Sequence, residues 1–256
     1  MIKKIFFAVI LLITVTIVFL GIKNRSSDSK PVVKVAIILD DWGYNKHHLT
    51  QLYEIGRPVT VAVLPHLQFS DYLARDAKAH GYEVLLHMPM EPASNPKRPE
   101  SGMISRNMSR EKVRELIDKA LVSVPGVHGV NNHMGSKATR DADLMTVVLE
   151  EIKGRGLFFI DSVTTGGSVC PDICNKLGLK FTKRDVFLDV DLGKGDGTVS
   201  EKISRRIEEL CDIAIKRGEA VGIGHDKTTT LSVLKDVLPR MEAKGIKFVY
   251  VSELVR

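Results

Sequence analysis

From Val32 onward, short apolar runs alternate with longer amphipathic stretches. Val32–Leu39 is continuous and rich in β-branched residues, the pattern of a strand buried on both faces. Val59–Leu64, Tyr82–Leu86, Val127–Val130, Leu157–Ile160, Val186–Leu188, Ala220–Ile223 and Phe248–Val251 repeat it in shorter form. Helical periodicity separates them: Phe69–His80 before Gly81, Ser109 to about Ser123, Asp141–Lys153 before Gly154, Ser200–Lys216 before Gly218, and Thr230–Ala243 before Gly245. A glycine just past the last periodic residue is an ordinary helix stop. The proline-rich sequence from Met88 to Pro99 predicts a loop. Seven or eight strands alternating with helices predict an α/β fold whose parallel sheet closes, or nearly closes, into a barrel.

The first 31 residues break this rhythm. Lys3 and Lys4 precede an uncharged apolar run, Ile5–Ile22, whose eighteen residues nearly cross a hydrocarbon core at about 1.5 Å each. The lysines favour a cytoplasmic start. A cleaved signal peptide has a shorter apolar region and a small-x-small site, which Phe19–Lys23 does not offer. An uncleaved anchor therefore fits better, and either device exports the rest. The expected organisation is a signal-anchor helix over 1–22, a linker over 23–31, and an extracytoplasmic catalytic domain over 32–256, on the periplasmic side of an inner membrane.

Hydrophobic residues make up 44% and charged residues 27%, a balance that excludes a disordered chain. The net charge is +6, but Lys and Arg are spread among Asp and Glu without interleaved aromatics. That spread predicts a solvated surface and no nucleic-acid footprint. Cys170, Cys174 and Cys211 are odd in number. A local disulfide between the first two is conceivable in an oxidising compartment, but plain packing is the simpler reading.

Titratable residues recur just after the predicted strands: Asp40-Asp41, His87, Asn131-Asn132-His133, Asp161 and His225. In parallel α/β folds the carboxyl ends of the strands face the active site. Asp40 and Asp41 are neighbours, so an extended strand points them apart; a turn, permitted by Gly43, is needed to bring both to one site. One carboxylate can then bind a divalent metal while the other accepts a proton. His87, His133 and Glu91 are candidate ligands for a zinc-class cation. Glu91 cannot share a helical face with His87, because Pro89 and Pro92 intervene. Asn131 and Asn132 are candidate substrate contacts, with Trp42 beside the acidic pair. His225, between Gly224 and Asp226, suits general-acid work, and Gly224 permits close approach of substrate or backbone. Arg184 can clamp a carboxylate, and Asp161 can steady a ligand histidine. Ser162 lacks a nucleophile elbow, and Gly193–Gly197 lacks the trailing residues of a phosphate-binding loop. His47, His48, His66, His80 and His128 lie among polar residues and read as surface or packing histidines.

The order Ile-Ile-Leu-Asp40-Asp41, Gly-Tyr-Glu-Val-Leu-Leu-His87 and Gly-Ile-Gly-His225-Asp226 resembles the polysaccharide deacetylases. Leu-Asp-Asp-Trp-Gly-Tyr-Asn, Asn-Asn-His-Met-Gly-Ser and Arg-Asp-Val-Phe-Leu-Asp resemble that family's divergent branch, over about Val35 to Leu254. The resemblance implies a distorted (β/α)7-type barrel and metal-assisted removal of acetyl groups from an envelope or exported polysaccharide. It implies Asp40 as base, Asp41 and His87 as ligands of a divalent ion such as Zn2+, and His225 as the acid. Where the family carries His-x-x-x-His this chain has His87 and Glu91, and where it carries Arg-Pro-x-Gly this chain has Asn132-His133-Met134-Gly135. His133 is the candidate replacement for the missing imidazole.

Overall fold

Strand β1 (Val33–Trp42) is the hub of a wholly parallel sheet. The structure is a computed structural model describing residues 32–94, 100–193 and 196–256. The expected anchor and linker lie outside the described residues. Among the described residues no helix is long and apolar enough to cross a membrane.

After β1 the chain runs through α1 (Leu49–Glu54), β2 (Thr60–Val63), α2 (Ser70–Ala79), β3 (Glu83–Met90), α3 (Arg110–Ser123) and β4 (Gly129–Met134). It continues through α4 (Ala142–Gly154), β5 (Phe158–Asp161), α5 (Cys170–Leu177), β6 (Phe181–Lys183) and β7 (Val186–Phe187). The last elements are α6 (Val199–Arg217), β8 (Glu219–His225), α7 (Thr228–Glu242) and β9 (Ile246–Val249). The strand order is β6-β5-β4-β3-β2-β1-β8-β7, and β9 lies beside the first half of β1.

The end strands β6 and β7 are consecutive in the chain, joined by Arg184 and Asp185. The Arg184 N–H donates to Asp161 O of β5 (3.0 Å), and the next N–H, of Asp185, donates to Val221 O of β8 (2.8 Å). One extended segment thus bonds both edges and curls the sheet into the expected barrel.

Strand alternation sorts side chains into two layers. Ala36, Ile38, Leu85, Phe158, Ile160, Val221 and Ile223 fill the interior. Val35, Ile37, Leu39, Val84, Leu86 and Phe159 pack outward against the helices. At the N-terminal end of the strands the interior is plugged by Val251 and Leu254. There buried Glu83 accepts from Thr60 Oγ1 (2.9 Å) and Ser252 N (3.2 Å). Residues 33–256 form one compact unit with this core complete in itself.

Three sequence expectations change. β3 runs on through Pro89, because its carbonyl accepts from Ile104 N (2.9 Å) on the side away from β4, so the missing N–H leaves the β4 ladder intact. β4 includes Asn131, Asn132 and His133, which are strand residues rather than a turn. α5 and β6 were not legible, being only eight and three residues long. Cys170 and Cys174 are buried free thiols on α5, and burial pushes the Cys174 thiol up to about 12.

Candidate active site

The inner-face parity that fills the barrel also builds the site. Two residues beyond interior Ile38 comes Asp40; beyond Leu85, His87; beyond Ile160, Ser162; beyond Ile223, His225. On β4 the same parity presents Asn131 and His133. Asp41 has the wrong parity, and the backbone corrects it. Its φ is +68°, and the β1–β2 register shifts between Leu39 and Trp42. Gly43 is also strained for an L-residue, at φ +137°, where a Cβ would stand 2.9 Å from Leu67 Cδ1.

Asp41, His87 and His133 converge. His133 Nδ1 lies 3.1 Å from Asp41 Oδ1 and 3.1 Å from His87 Nε2, and His87 Nε2 lies 3.3 Å from Asp41 Oδ1. Ligands about 2.0–2.2 Å from a tetrahedral ion stand roughly 3.3–3.5 Å apart, so this triangle is close to a metal-ligand face. Asp41 Oδ1 is buried and makes no hydrogen bond among the described residues. The far nitrogen of each imidazole is also held: His87 Nδ1 by Asn131 Oδ1 (2.9 Å) and His133 Nε2 by Glu100 Oε1 (3.1 Å). Such outer contacts fix the tautomer and aim the ligating nitrogen. Burial opposes a charge on His133, but the carboxylates of Asp41 and Glu100 outweigh it and raise its pKa to about 10. Burial also opposes the charge on Asp41, yet the two imidazoles hold its carboxyl well below the usual range. The residues present fit a divalent cation, which must displace the His133 proton to bind.

Asp40 and His225 stand beside this triangle, both lining one cleft of about 370 Å³ together with His87, Asn132, His133 and Ser162. Asp40 Oδ1 accepts from Asn131 Nδ2 (2.8 Å), while Oδ2 is 3.6 Å from His87 Nε2. Burial raises the Asp40 pKa despite the pull of His87 and His225. His225 Nδ1 meets Asp189 Oδ1 at 2.6 Å, leaving Nε2 for the cleft. Burial pulls the His225 pKa down, but Asp189 overcomes it and the net shift is upward. Asp189 is itself fixed by the His225 N–H (3.0 Å) and Thr230 Oγ1 (2.7 Å).

Residues 37–255 match the family model of the divergent polysaccharide deacetylases. The chain belongs to that family. A curated relative, an uncharacterised protein of Haemophilus influenzae, is 34% identical over 202 residues, 79% of this chain and 70% of the relative. The uncharacterised protein YibQ of Escherichia coli is 35% identical over 213 residues, 82% of this chain and 64% of its own length. The chain thus spans about two thirds of these relatives. Among solved structures, the uncharacterised protein ATU2773 of Agrobacterium tumefaciens C58 has a TM-score of 0.79 at 22% identity, over 90% of this chain and 92% of that one. T48 deacetylase with substrate has a TM-score of 0.52 at 14% identity, over 87% and 90%. A BA3943 mutant, a CE4 family pseudoenzyme with restored enzymatic activity, has 0.54 at 14% identity, over 87% and 67%. At these identities the structures share the fold.

Several sequence candidates stand elsewhere in this member of the family. Trp42 is fully buried and packs in the helix-facing core, out of a substrate's reach. Glu91, the candidate fourth ligand, is taken by Lys137 Nζ (2.5 Å) and Arg106 N (2.9 Å), outside the Asp41–His87–His133 triangle. Asp161 has the parity of outward-facing Phe159; its Oδ1 accepts from Val163 N (2.8 Å), and it adds to burial, the larger cause, in raising the thiol pKa values of Cys170 and Cys174. Arg184 donates to the carbonyls of Ser162 (2.7 Å) and Val163 (2.6 Å) and lies 3.5 Å over the Phe187 ring, clamping no carboxylate. Asn132 lines the cleft, but its amide spans Ser162 N (2.9 Å) and Met134 O (2.8 Å). What approaches Gly224 is Thr230 of α7, whose Cγ2 would lie 3.0 Å from a Cβ there. Glu100 and Asp189, the partners of the two outer imidazoles, escaped the sequence reading. Glu100 sits beyond a proline-rich loop, though Asp189 ends the Arg184–Asp189 motif already singled out.

Proposed function

We propose that this chain is a metal-dependent hydrolase that removes acetyl groups from an envelope or exported polysaccharide. The observation that carries it is the Asp41–His87–His133 triangle, whose two imidazoles line one cleft with Asp40 and His225. Asp41 Oδ1, His87 Nε2 and His133 Nδ1 would hold the cation. Bound there, a divalent ion such as Zn2+ supplies Lewis acidity, polarising an acyl carbonyl and acidifying water from about 15.7 toward 7.

The remaining work belongs to the chain's own groups. Asp40, buried and with its pKa raised, takes the proton of the attacking water on the oxygen not held by Asn131. Asn131 ties that base to His87, so base and ligand are positioned as a unit. His225, oriented by Asp189, whose carboxylate raises its pKa against the effect of burial, gives a proton from Nε2 to the departing amine or hydroxyl. Family membership supports a polysaccharide substrate, and the apolar run Ile5–Ile22 supports an anchored, extracytoplasmic placement. Acetate release from N-acetylated chitooligosaccharides, measured with and without chelator, tests the reading. Release that stops on chelation and returns with Zn2+ is expected; release indifferent to chelator contradicts it.

A second reading is a glycan-binding protein without turnover. It is favoured by the departure from the family's ligand pattern: Glu91 stands where the family carries a second imidazole, and Lys137 and Arg106 engage it away from the triangle. Oligosaccharide binding with no acetate release at any metal loading would select it.

A further inference from the structure

The end of the barrel opposite the cleft carries charge that the proposed chemistry does not use. Helices α4, α5 and α6 end there, each a few residues before the next strand begins, so Lys153, Lys176 and Lys216 of their last turns lie on that rim. Lys180 immediately precedes β6, and Lys244 and Lys247 flank the start of β9. All six are exposed, and none forms an ion pair among the described residues, although Lys153 Nζ donates to Leu177 O. Four carboxylates of the same rim are already engaged, Glu219 by Arg256, Glu242 by Arg57, Glu253 by Lys34 and Asp185 by Arg217, while exposed Asp212, one turn before Lys216, forms no ion pair among the described residues. Helix C-termini favour cations, which accounts for the last-turn lysines. It does not account for Lys180 and Lys247, which lie beside and within strands. Followed around the sheet, the six occupy the arc from β5 and β6 through β8 to β1 and β9, and the chain enters that arc at Val33. Exposed apolar Val122 (80%) and Ile215 (57%) end α3 and α6 on this rim as well.

We propose that this rim rests on an anionic phospholipid surface, with the cleft directed away from it. Charge complementarity points to the occupant, and so does the length of the preceding chain. Only ten residues, 23–32, separate Ile22 from Val33, and fully extended they reach at most about 35 Å. A bilayer holding Ile5–Ile22 would therefore lie within that distance of the rim where β1 begins. The proposal rests on the anchor reading for this proximity alone. Lysines near a negatively charged leaflet each add to attraction, and screening by salt removes it.

The chain from Val32 to Arg256, whose core is complete in itself, separates the rim from the apolar run. It is sedimented with vesicles of phosphatidylcholine alone, or containing about a third phosphatidylglycerol, at about 0.05 M and about 0.5 M salt. Binding to the anionic vesicles at low salt only is expected. Lys180→Gln/Lys244→Gln/Lys247→Gln should lower the partition by about a hundredfold, since about 1 kcal/mol per lysine is roughly fivefold each. Lys112→Gln/Lys202→Gln/Arg206→Gln removes the same charge from the cleft-side halves of α3 and α6 and should change it less than about twofold. If the first triple variant melts early, the single variants Lys180→Gln and Lys247→Gln, each expected to cost about fivefold, replace it. Equal binding to neutral vesicles, equal loss in both triples, or binding to soluble polyglutamate without binding to vesicles overturns the proposal. No arm reads metal or acetate, so its failure leaves the deacetylase reading standing, and an inactive enzyme leaves this result standing.

Discussion

The two rims of the barrel are made by the same strand–helix alternation and carry opposite chemistry. At the cleft rim, carboxylates and imidazoles converge: Asp40, Asp41 and Asp189 share their space with His87, His133 and His225. At the far rim Glu219, Glu242, Glu253 and Asp185 are each held by an Arg or Lys, and lysines are left over among the described residues. Part of this asymmetry is generic, because helix N-termini gather acids and helix C-termini gather cations. The specific part differs in burial. Cleft carboxylates are inside the barrel mouth, where desolvation makes each charge expensive unless a partner or a cation compensates. Rim lysines are in water, where charge costs little and acts only through an external surface. On the two proposals made above, the buried cluster serves chemistry and the exposed one adhesion.

Substitutions at each rim separate the two roles. The largest effect is expected from Asp40→Asn, which should lower acetate release by about 10² to 10⁴-fold while leaving metal content unchanged. Metal lost along with activity would mean that Asp40 is a ligand rather than a base. Next is the far-rim triple variant: its roughly hundredfold loss on anionic vesicles should leave turnover of a soluble oligosaccharide untouched. A matching loss of turnover would join the two ends that the structure keeps apart.

Asp189→Asn should reduce kcat by about ten- to a hundredfold, with a distinctive pH signature. The pKa of Asp40 is raised above 3.8 and that of His225 above 6.5, so kcat/KM should rise on an acid limb above the ordinary carboxylate range and fall on an alkaline limb above 6.5. Without Asp189 the burial of His225 is opposed only by Asp40 and Asp41, and the alkaline limb should move down. A profile unchanged by the substitution would remove Asp189 from the mechanism. Glu100→Gln leaves a weaker acceptor for His133 Nε2 and should weaken Zn2+ binding by about tenfold in titration calorimetry.

The smallest effect lies outside the cleft, in the last turn of α4. Arg114 and Arg155 lower the Glu151 pKa from 4.5 to about 2. The depressed value means stability that is present above 4.5 and lost as pH falls toward 2. The surrounding ion pairs are partly exposed, so Glu151→Gln should cost only about 1 kcal/mol at pH 7 and nothing at the acid end, by urea unfolding.

These comparisons also show what sequence could and could not carry. Barrel class was legible because most strands are doubly buried apolar runs and most helices stop at or next to a glycine. Asp40, His87, His133 and His225 were legible because they follow such runs. Parity was the missing information. Asp161 ends a strand as plainly as His87 does, yet it occupies the outward position, and only the strand's true limits decide that. Asp41 defeats parity in the other direction, through a backbone conformation at φ +68° that its neighbour Gly43 seemed to offer instead. Glu100 and Asp189 reach their histidines across 33 and 36 residues, distances that no local pattern encodes. The lysine rim was hidden for a related reason: charges evenly spread along the chain gather in space, because successive helices end at the same side of the sheet.

The account stands on three donor atoms sharing one cation. Zn2+ titration calorimetry on the chain from Val32 to Arg256, beside His87→Ala and His133→Ala, measures this directly. One equivalent bound by the parent, and binding weakened by at least about a hundredfold in each variant with the fold retained, is the predicted result. Parent and variants binding alike, or a parent that binds no divalent ion, would contradict it.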